Sequence, residues 1–368
     1  MKQVRMNDFQ SEPEDLLRAE LTACERVIRS GWWILGSEVA AFEKEWQDWL
    51  GVPHAVSCAN GLDAIELGLR ALNIGSGDEV ITTPMTAFAT VLAILRAGAI
   101  PVLADIDPHT AMLDLASVRR CINGRTKAVL VVHLYGQAAP MEELTSLAHE
   151  HQLHLIEDCA QAHGARWAGR SVGTFGSFAS WSFYPTKNLG AIGDGGALTT
   201  GDGRLAEKVR SLRNYGQTVR YQHPMVGMNS RLDELQAAIL RERLKYLEAW
   251  ISRRRSVAKR YVQRITNTQV RVLPVPADMS QHSYHLFVVT TEKRDDLLLH
   301  LQANGVDALI HYPIPVHQQP PCVELRRDPL GLSNAEKHAA CCLSIPCHPG
   351  LTDEAVDHVV AAVNDFQA

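Results

Sequence analysis

The sequence predicts an α/β protein, a mostly parallel sheet between helices, followed by a smaller C-terminal α+β domain. Three observations carry that expectation. Short apolar runs at 54–57, 79–83, 101–105, 127–132 and 153–157 alternate with helix-like segments at 62–72, 86–97, 114–121 and 140–150. A βα rhythm of this kind buries parallel strands between two helical layers. A long helical stretch then runs from about Arg231 to Val262, with Leu232, Leu235, Ile239, Leu240, Leu244 and Leu247 at largely helical spacing; such an aliphatic stripe is core packing. After residue 265 the pattern changes to a short strand, Tyr284 to Thr290, and helices at 294–303, 334–342 and 352–365. A chain of 368 residues usually divides in two. The expected domains are 1–250, with an N-terminal helical segment, and 251–368.

Taken in order, the elements also place chemistry. The strand at His54 to Ser57 leads through Cys58-Ala59-Asn60 to Gly61, where a helix opens. A glycine there lets the backbone approach a ligand, and the free N–H groups of the first helical turn favour an anion. A plain strand-to-helix turn explains the same glycine. The apolar stretch Ala87 to Ile106 is broken by Arg96, Pro101 and Asp105, so it reads as helix, turn and buried strand rather than a membrane span. The strand Leu155-Ile156-Glu157-Asp158 ends in carboxylates. A β-rich stretch, Phe178 to Phe183, then runs into Tyr184-Pro185-Thr186-Lys187, and Gly193-Asp194-Gly195-Gly196 returns the chain into Ala197-Leu198-Thr199-Thr200. This puts one lysine on a tight turn among aromatic, small and turn-forming residues. A lysine and a strand-end aspartate are what pyridoxal phosphate needs: an amine for its aldehyde, and a carboxylate to hold a proton on its ring nitrogen. A structural Lys–Asp ion pair would use the same two residues. In open α/β sheets ligands sit at the strand carboxyl ends, so Asp158, Gly61 and the loop after Pro84 are expected along one edge.

Composition excludes several classes. Net charge is −5 with no basic block, which argues against nucleic acid or an anionic membrane as partner. Eight cysteines lack metal spacing, with Cys341 and Cys342 adjacent and no Cys-x-x-Cys. Free thiols in a reducing cytoplasm, and no metal, are expected. Met1 to Gln10 is polar and carries no signal pattern. Neither a Walker A loop nor a Gly-x-Gly-x-x-Gly dinucleotide fingerprint is present: Gly190-x-x-Gly193-x-Gly195 has the wrong order.

The motifs become specific as a set: Gly31-Trp32-Trp33-Ile34-Leu35-Gly36, Asn60-Gly61-Leu62-Asp63-Ala64, Gly77-Asp78-Glu79-Val80, His133-Leu134-Tyr135-Gly136-Gln137 and Glu157 through Gly164. Ser182 through Lys187, Gly193 through Gly196, Asn229 through Gln236, and His311-Tyr312-Pro313 with Pro315, His317 and Gln319 complete it. In this order, from about residue 16 to 363, the chain resembles the DegT/DnrJ/EryC1/StrS sugar aminotransferases. The resemblance implies the type I pyridoxal phosphate fold (that of aspartate aminotransferase), with a seven-stranded sheet in its large domain. It implies Lys187 as the residue that forms a Schiff base with the cofactor and moves the proton, and Asp158 as partner of the ring nitrogen. Phe88 and Ala160 would lie on the two ring faces, Gln161 would bond the ring hydroxyl, and Gly61, Leu62 and Ser182 would hold the phosphate. Asn229 would reach the phosphate of the neighbouring subunit, which makes the protein a homodimer with shared sites. Tyr184, Arg231, His311 and Tyr312 would face substrate.

Departures from the family pattern fall away from the lysine and aspartate. Leu62 stands where Thr or Ser is common, Ala87 where Thr is frequent, Cys159 where Ala is usual, and Pro321-Cys322 where Ala-Tyr often follows. Trp32 and Trp33 would line the sugar pocket or cover the core; Arg231 would bind an anion or cap the long helix; His163 reads as a satisfied core histidine. The activity implied is amino transfer from L-glutamate to a nucleoside-diphosphate keto-sugar, with the ketone at C3 or C4. It would serve a surface polysaccharide such as lipopolysaccharide, or a glycosylated natural product. A keto-cyclitol acceptor is the alternative within the class, and a non-catalytic cofactor-binding sensor the alternative outside it. Related dehydratases carry His in place of the lysine, and Lys187 argues against that activity.

Overall fold

The computed structural model describes residues 3–367. Helices α1 (Glu14–Ser30) and α2 (Ser37–Leu50) precede β1 (His54–Cys58), α3 (Gly61–Ala71), β2 (Glu79–Thr82), α4 (Phe88–Arg96), β3 (Ile100–Leu103), α5 (Leu115–Cys121), β4 (Thr126–Val132), α6 (Met141–Glu150) and β5 (His154–Asp158). A two-stranded ribbon, β6 (Arg166–Trp167) and β7 (Arg170–Ser171), leads to β8 (Phe178–Ser182), β9 (Gly196–Thr200) and α7 (Gly203–Leu212). Then come α8 (Glu234–Leu244), α9 (Leu247–Arg264), β10 (Arg271–Val272), β11 (Phe287–Thr290), α10 (Arg294–Ala303), α11 (Ser333–Cys341), β12 (Cys342–Ile345) and α12 (Asp353–Asn364).

Seven strands form the main sheet in the order β1-β9-β8-β5-β4-β2-β3. All run parallel except β9, which is antiparallel to both its neighbours. Val80, Ile81, Val102, Val129, Leu130, Val131 and Ile156 are buried, as a sheet covered on both faces requires. Each such side chain contributes about 1.5–3 kcal/mol of hydrophobic stabilisation. The reversal of β9 brings its first residue, Gly196, opposite Cys58 and Ser182, the last residues of β1 and β8. A Cβ on Gly196 would lie 2.3 Å from the Asn60 carbonyl carbon, so only glycine lets β9 close against the start of α3.

The second sheet, β10-β11-β12, belongs to the smaller domain and packs with α10, α12 and the later turns of α9. Its first long strand begins at Phe287, three residues after the expected Tyr284, because Ser283 and Leu286 spend their N–H groups on the carbonyls of Gly136 and Tyr135. Cys342, expected to end a helix, opens β12.

The expected single helix over 231–262 is two helices, with a break at Lys245 and Tyr246. No Gly or Pro marks the break, and the leucine stripe continues across it because Leu240 and Leu247 both face the same core. Tertiary anchors hold the corner: Arg243 pairs with Glu12 and Glu20, and the Tyr246 hydroxyl donates to Asp15 at 2.7 Å. The expected division after residue 250 falls inside α9, whose Leu247 and Ile251 join the large domain's core and whose Val257 and Tyr261 join the small one's. Val4 pairs with Val306 and belongs to the core of the second sheet. Among the described residues the cysteines are all free, and no helix is long and apolar enough to cross a membrane.

Candidate active site

Parallel strands put the ends of β1, β5 and β8 on one edge, and the expected site residues gather there. Asp158 closes β5 and is 6% exposed. Its carboxylate accepts the Thr90 hydroxyl at 2.8 Å and the Ala160 N–H at 3.1 Å. Thr90 in turn lies 2.7 Å from the Thr86 hydroxyl, so the loop after Pro84 reaches the same edge. Burial pushes the Asp158 carboxyl up, while those two donors and the nearby Lys187 cation pull it back. Glu157, one residue earlier, points to the other face as strand geometry requires. It accepts N–H groups of Gly173, Phe175 and Gly176 and contacts His133. It is structural.

Lys187 sits in a turn closed by its N–H on the Tyr184 carbonyl at 2.8 Å. The side chain is partly buried and makes no direct ion pair among the described residues. Burial pulls the amine down to about 8, opposed in part by Asp158. A lysine held for an ion pair would show the reverse, a direct contact and a raised pKa. The two residues therefore feel each other's charge without forming a structural pair.

At the start of α3 the Asn60 side chain caps Asp63, leaving the N–H groups of Gly61 and Leu62 without acceptors among the described residues. A Cβ on Gly61 would lie 2.9 Å from the Cβ of Ser182; the bare glycine keeps this cradle open beside the Ser182 hydroxyl, which accepts only a long 3.3 Å bond from Tyr184. Gln161 is buried. Its Oε1 accepts the Tyr135 N–H at 2.5 Å, which fixes the amide so that Nε2 points to the Tyr312 hydroxyl at 3.1 Å. Tyr312, its hydroxyl pushed up to about 12 by burial and Asp158, stays protonated. His311, whose Nδ1 lies 2.9 Å from the Ser344 hydroxyl, is pulled down to about 4 by burial and Lys187 and is neutral.

The other expected residues keep neighbours of their own. Phe88 packs against a cluster containing Val91, Leu103, Val316 and Cys322, and Thr90, two residues on and so on the opposite side of α4, is the side chain that reaches Asp158. Tyr184 is 52% exposed. Asn229 is exposed beside Asn214. Arg231 donates to Asn214 at 3.0 Å and lies over the Tyr215 ring rather than capping a helix. Trp32 and Trp33 do not cover the core of this chain: they are 63% and 49% exposed. His163 is in the core but is not satisfied; neither ring nitrogen has a well-aligned partner, and burial among Trp46, Trp181 and Phe183 pulls it down to about 3. Sequence reasoning missed Thr90, Tyr135 and His338. A threonine two residues after Phe88 was visible, but only the sheet order brings it to Asp158.

Residues 15–364 match the model of the DegT/DnrJ/EryC1/StrS aminotransferase family. The chain belongs to that family. It is 45% identical to a dTDP-3-amino-3,4,6-trideoxy-alpha-D-glucose transaminase of Streptomyces venezuelae, over 98% of this chain and 95% of the relative. It is also 45% identical to a dTDP-3-amino-3,6-dideoxy-alpha-D-galactopyranose transaminase of Aneurinibacillus thermoaerophilus, over 94% of each. The crystal structure of S. venezuelae DesV superposes with a TM-score of 0.95 at 43% identity, covering 99% of this chain and 98% of that one. This DegT-type protein is a pyridoxal phosphate-dependent aminotransferase. The residues present fit that cofactor: an open anion cradle at Gly61, a buried carboxylate at Asp158, an unpaired amine at Lys187 and an oriented amide donor at Gln161.

Proposed function

We propose that the protein moves an amino group from L-glutamate to the C3 ketone of a sugar carried on a nucleoside diphosphate, as a homodimer with shared sites. The observation that carries the acceptor class is the chemistry common to both relatives above: each is named for a 3-amino sugar on dTDP, at 45% identity over nearly the whole chain. When bound, pyridoxal phosphate supplies an electron sink that makes the proton on the amine-bearing carbon acidic. Lys187, partly free base near neutral pH because its amine lies at about 8, takes that proton and returns it. Asp158 keeps a proton on the ring nitrogen. The N–H groups of Gly61 and Leu62 and the Ser182 hydroxyl hold the phosphate, and Gln161 gives its second N–H to the ring hydroxyl. Ala160 leaves room on one ring face, and Phe88 borders the other. Tyr184, Arg231, His311 and Tyr312 face the sugar nucleotide, His311 as a neutral hydrogen-bonding group.

Tyr215, Val219, Tyr221 and Val226, on the segment that leads to Asn229, are exposed, and a second copy of this chain would cover them. In that dimer the partner subunit's Asn229 completes the phosphate site. The sensor reading has no use for a desolvated, unpaired lysine near a buried aspartate. To test the acceptor, the holoenzyme is given glutamate and a panel of nucleotide keto-sugars and keto-cyclitols, and products are followed by mass. The proposal expects amination of a 3-keto sugar nucleotide; amination of free keto-cyclitols alone would overturn it.

Sharing makes its own prediction. Asn229→Ala removes a hydrogen bond to a charged phosphate, worth about 1.5–3 kcal/mol, so cofactor retention falls about tenfold or more. Mixing Asn229→Ala with Lys187→Ala protein under subunit exchange should restore activity, because one site of the mixed dimer then carries neither defect. Exchange without recovery means that Asn229 serves its own subunit.

A further inference from the structure

Tyr135 stands out among the buried groups to which the reaction assigns no task. It follows β4 with a left-handed backbone, φ 62° and ψ 0°, a conformation that costs a non-glycine residue free energy and persists only where surrounding contacts hold it. Its side chain is 2% exposed, and every polar group it has is engaged. The N–H donates to Gln161 Oε1 at 2.5 Å, and the carbonyl accepts from the Leu286 N–H at 3.1 Å. The hydroxyl lies 2.6 Å from the His311 carbonyl and 2.9 Å from His338 Nε2.

The direction of each bond follows from chemistry. A carbonyl only accepts, so the single hydroxyl proton goes to His311, and His338 must donate from Nε2. Burial pulls His338 down to about 4, which leaves it neutral with that one N–H. On the other side, Gln161 Oε1 is committed to the Tyr135 N–H, so Nε2 donates to Tyr312 and the Tyr312 proton is left to point elsewhere. One residue of the large domain thus holds Gln161 on the cofactor side and the His311–Tyr312 turn on the substrate side.

We propose that Tyr135 is a positioning residue for the acceptor half of the reaction: it fixes the His311–Tyr312 turn against Gln161, so that the Tyr312 hydroxyl proton faces the incoming sugar. This rests on the amino-transfer reading above. Tyr135→Phe keeps the ring and the N–H to Gln161 and removes both hydroxyl bonds. His338→Ala removes one of the two while leaving Tyr135 intact, and His338→Gln returns an N–H donor.

The test uses the dimeric holoenzyme. In Tyr135→Phe the glutamate half-reaction, read from the cofactor's visible absorbance, should stay within about twofold, while KM for the keto-sugar nucleotide rises about tenfold, as expected for loss of two hydrogen bonds. His338→Ala should shift the same constant in the same direction, and His338→Gln should recover it. Hydrogen exchange of backbone 309–316 should quicken in Tyr135→Phe, with 184–190 unchanged. Equal slowing of both half-reactions, or unchanged exchange at 309–316, overturns the proposal. If wild-type protein aminates none of the sugar nucleotides, the functional reading fails, and the exchange measurement alone decides whether Tyr135 holds the turn.

Discussion

Lys187→Ala will lower turnover by about ten-thousand-fold, the upper range for loss of a positioned proton-transfer group, and borohydride will no longer fix the cofactor to the chain. In wild type the same treatment followed by peptide mapping should find the label on Lys187; finding it on another lysine would sink the assignment. The pH dependence follows from the lowered amine. Only the free base attacks an aldehyde, so capture of pyridoxal phosphate by cofactor-free wild type should quicken as pH rises through about 8 and then level. The sign for stability is opposite to that of a salt-bridged lysine. The folded chain binds this proton less tightly than the unfolded one, so the native state carries a penalty in full below about 8 that is relieved as pH climbs toward 10.5. Cofactor-free Lys187→Ala should therefore melt at or above cofactor-free wild type at neutral pH.

Asp158→Asn should retain cofactor through Lys187 and the Gly61 cradle but lose about 10²–10³ in turnover, the scale of removing one preorganised electrostatic partner. An amide has no charge with which to hold a proton on the ring nitrogen. Thr90→Val gives a graded version: it deletes the 2.8 Å bond to Asp158 and leaves the carboxylate in place, so a loss of about tenfold is expected. Single-turnover absorbance with glutamate reads both variants. Near-normal rates in Asp158→Asn would show that the ring nitrogen has another partner.

Residues whose meaning is local were legible in the chain. The βα rhythm, the carboxylates ending β5, the glycine opening α3 and the lysine turn after β8 each follow from short-range pattern, and each stands within a residue or two of its expected place. Residues whose meaning depends on a distant segment were not. The break between α8 and α9 carries no Gly or Pro, because Arg243 and Tyr246 hold it through Glu12, Glu20 and Asp15, more than two hundred positions away. His163 looked like any core histidine, and only three-dimensional packing shows that its aromatic neighbours leave its ring nitrogens without a well-aligned partner.

Fold class and family were legible in the chain, as was the placing of Lys187 and Asp158 at one sheet edge, since strand alternation, turn chemistry and motifs are written within short windows. Only the three-dimensional fold shows that Lys187 and Asp158 feel each other's charge without an ion pair, that Thr90 reaches the aspartate, and that Tyr135 ties Gln161 to the 311–312 turn. One cause underlies all three. Hydrogen bonding and desolvation act over a few ångströms between segments that the sheet order brings together, and nothing in the local sequence records which segments those are.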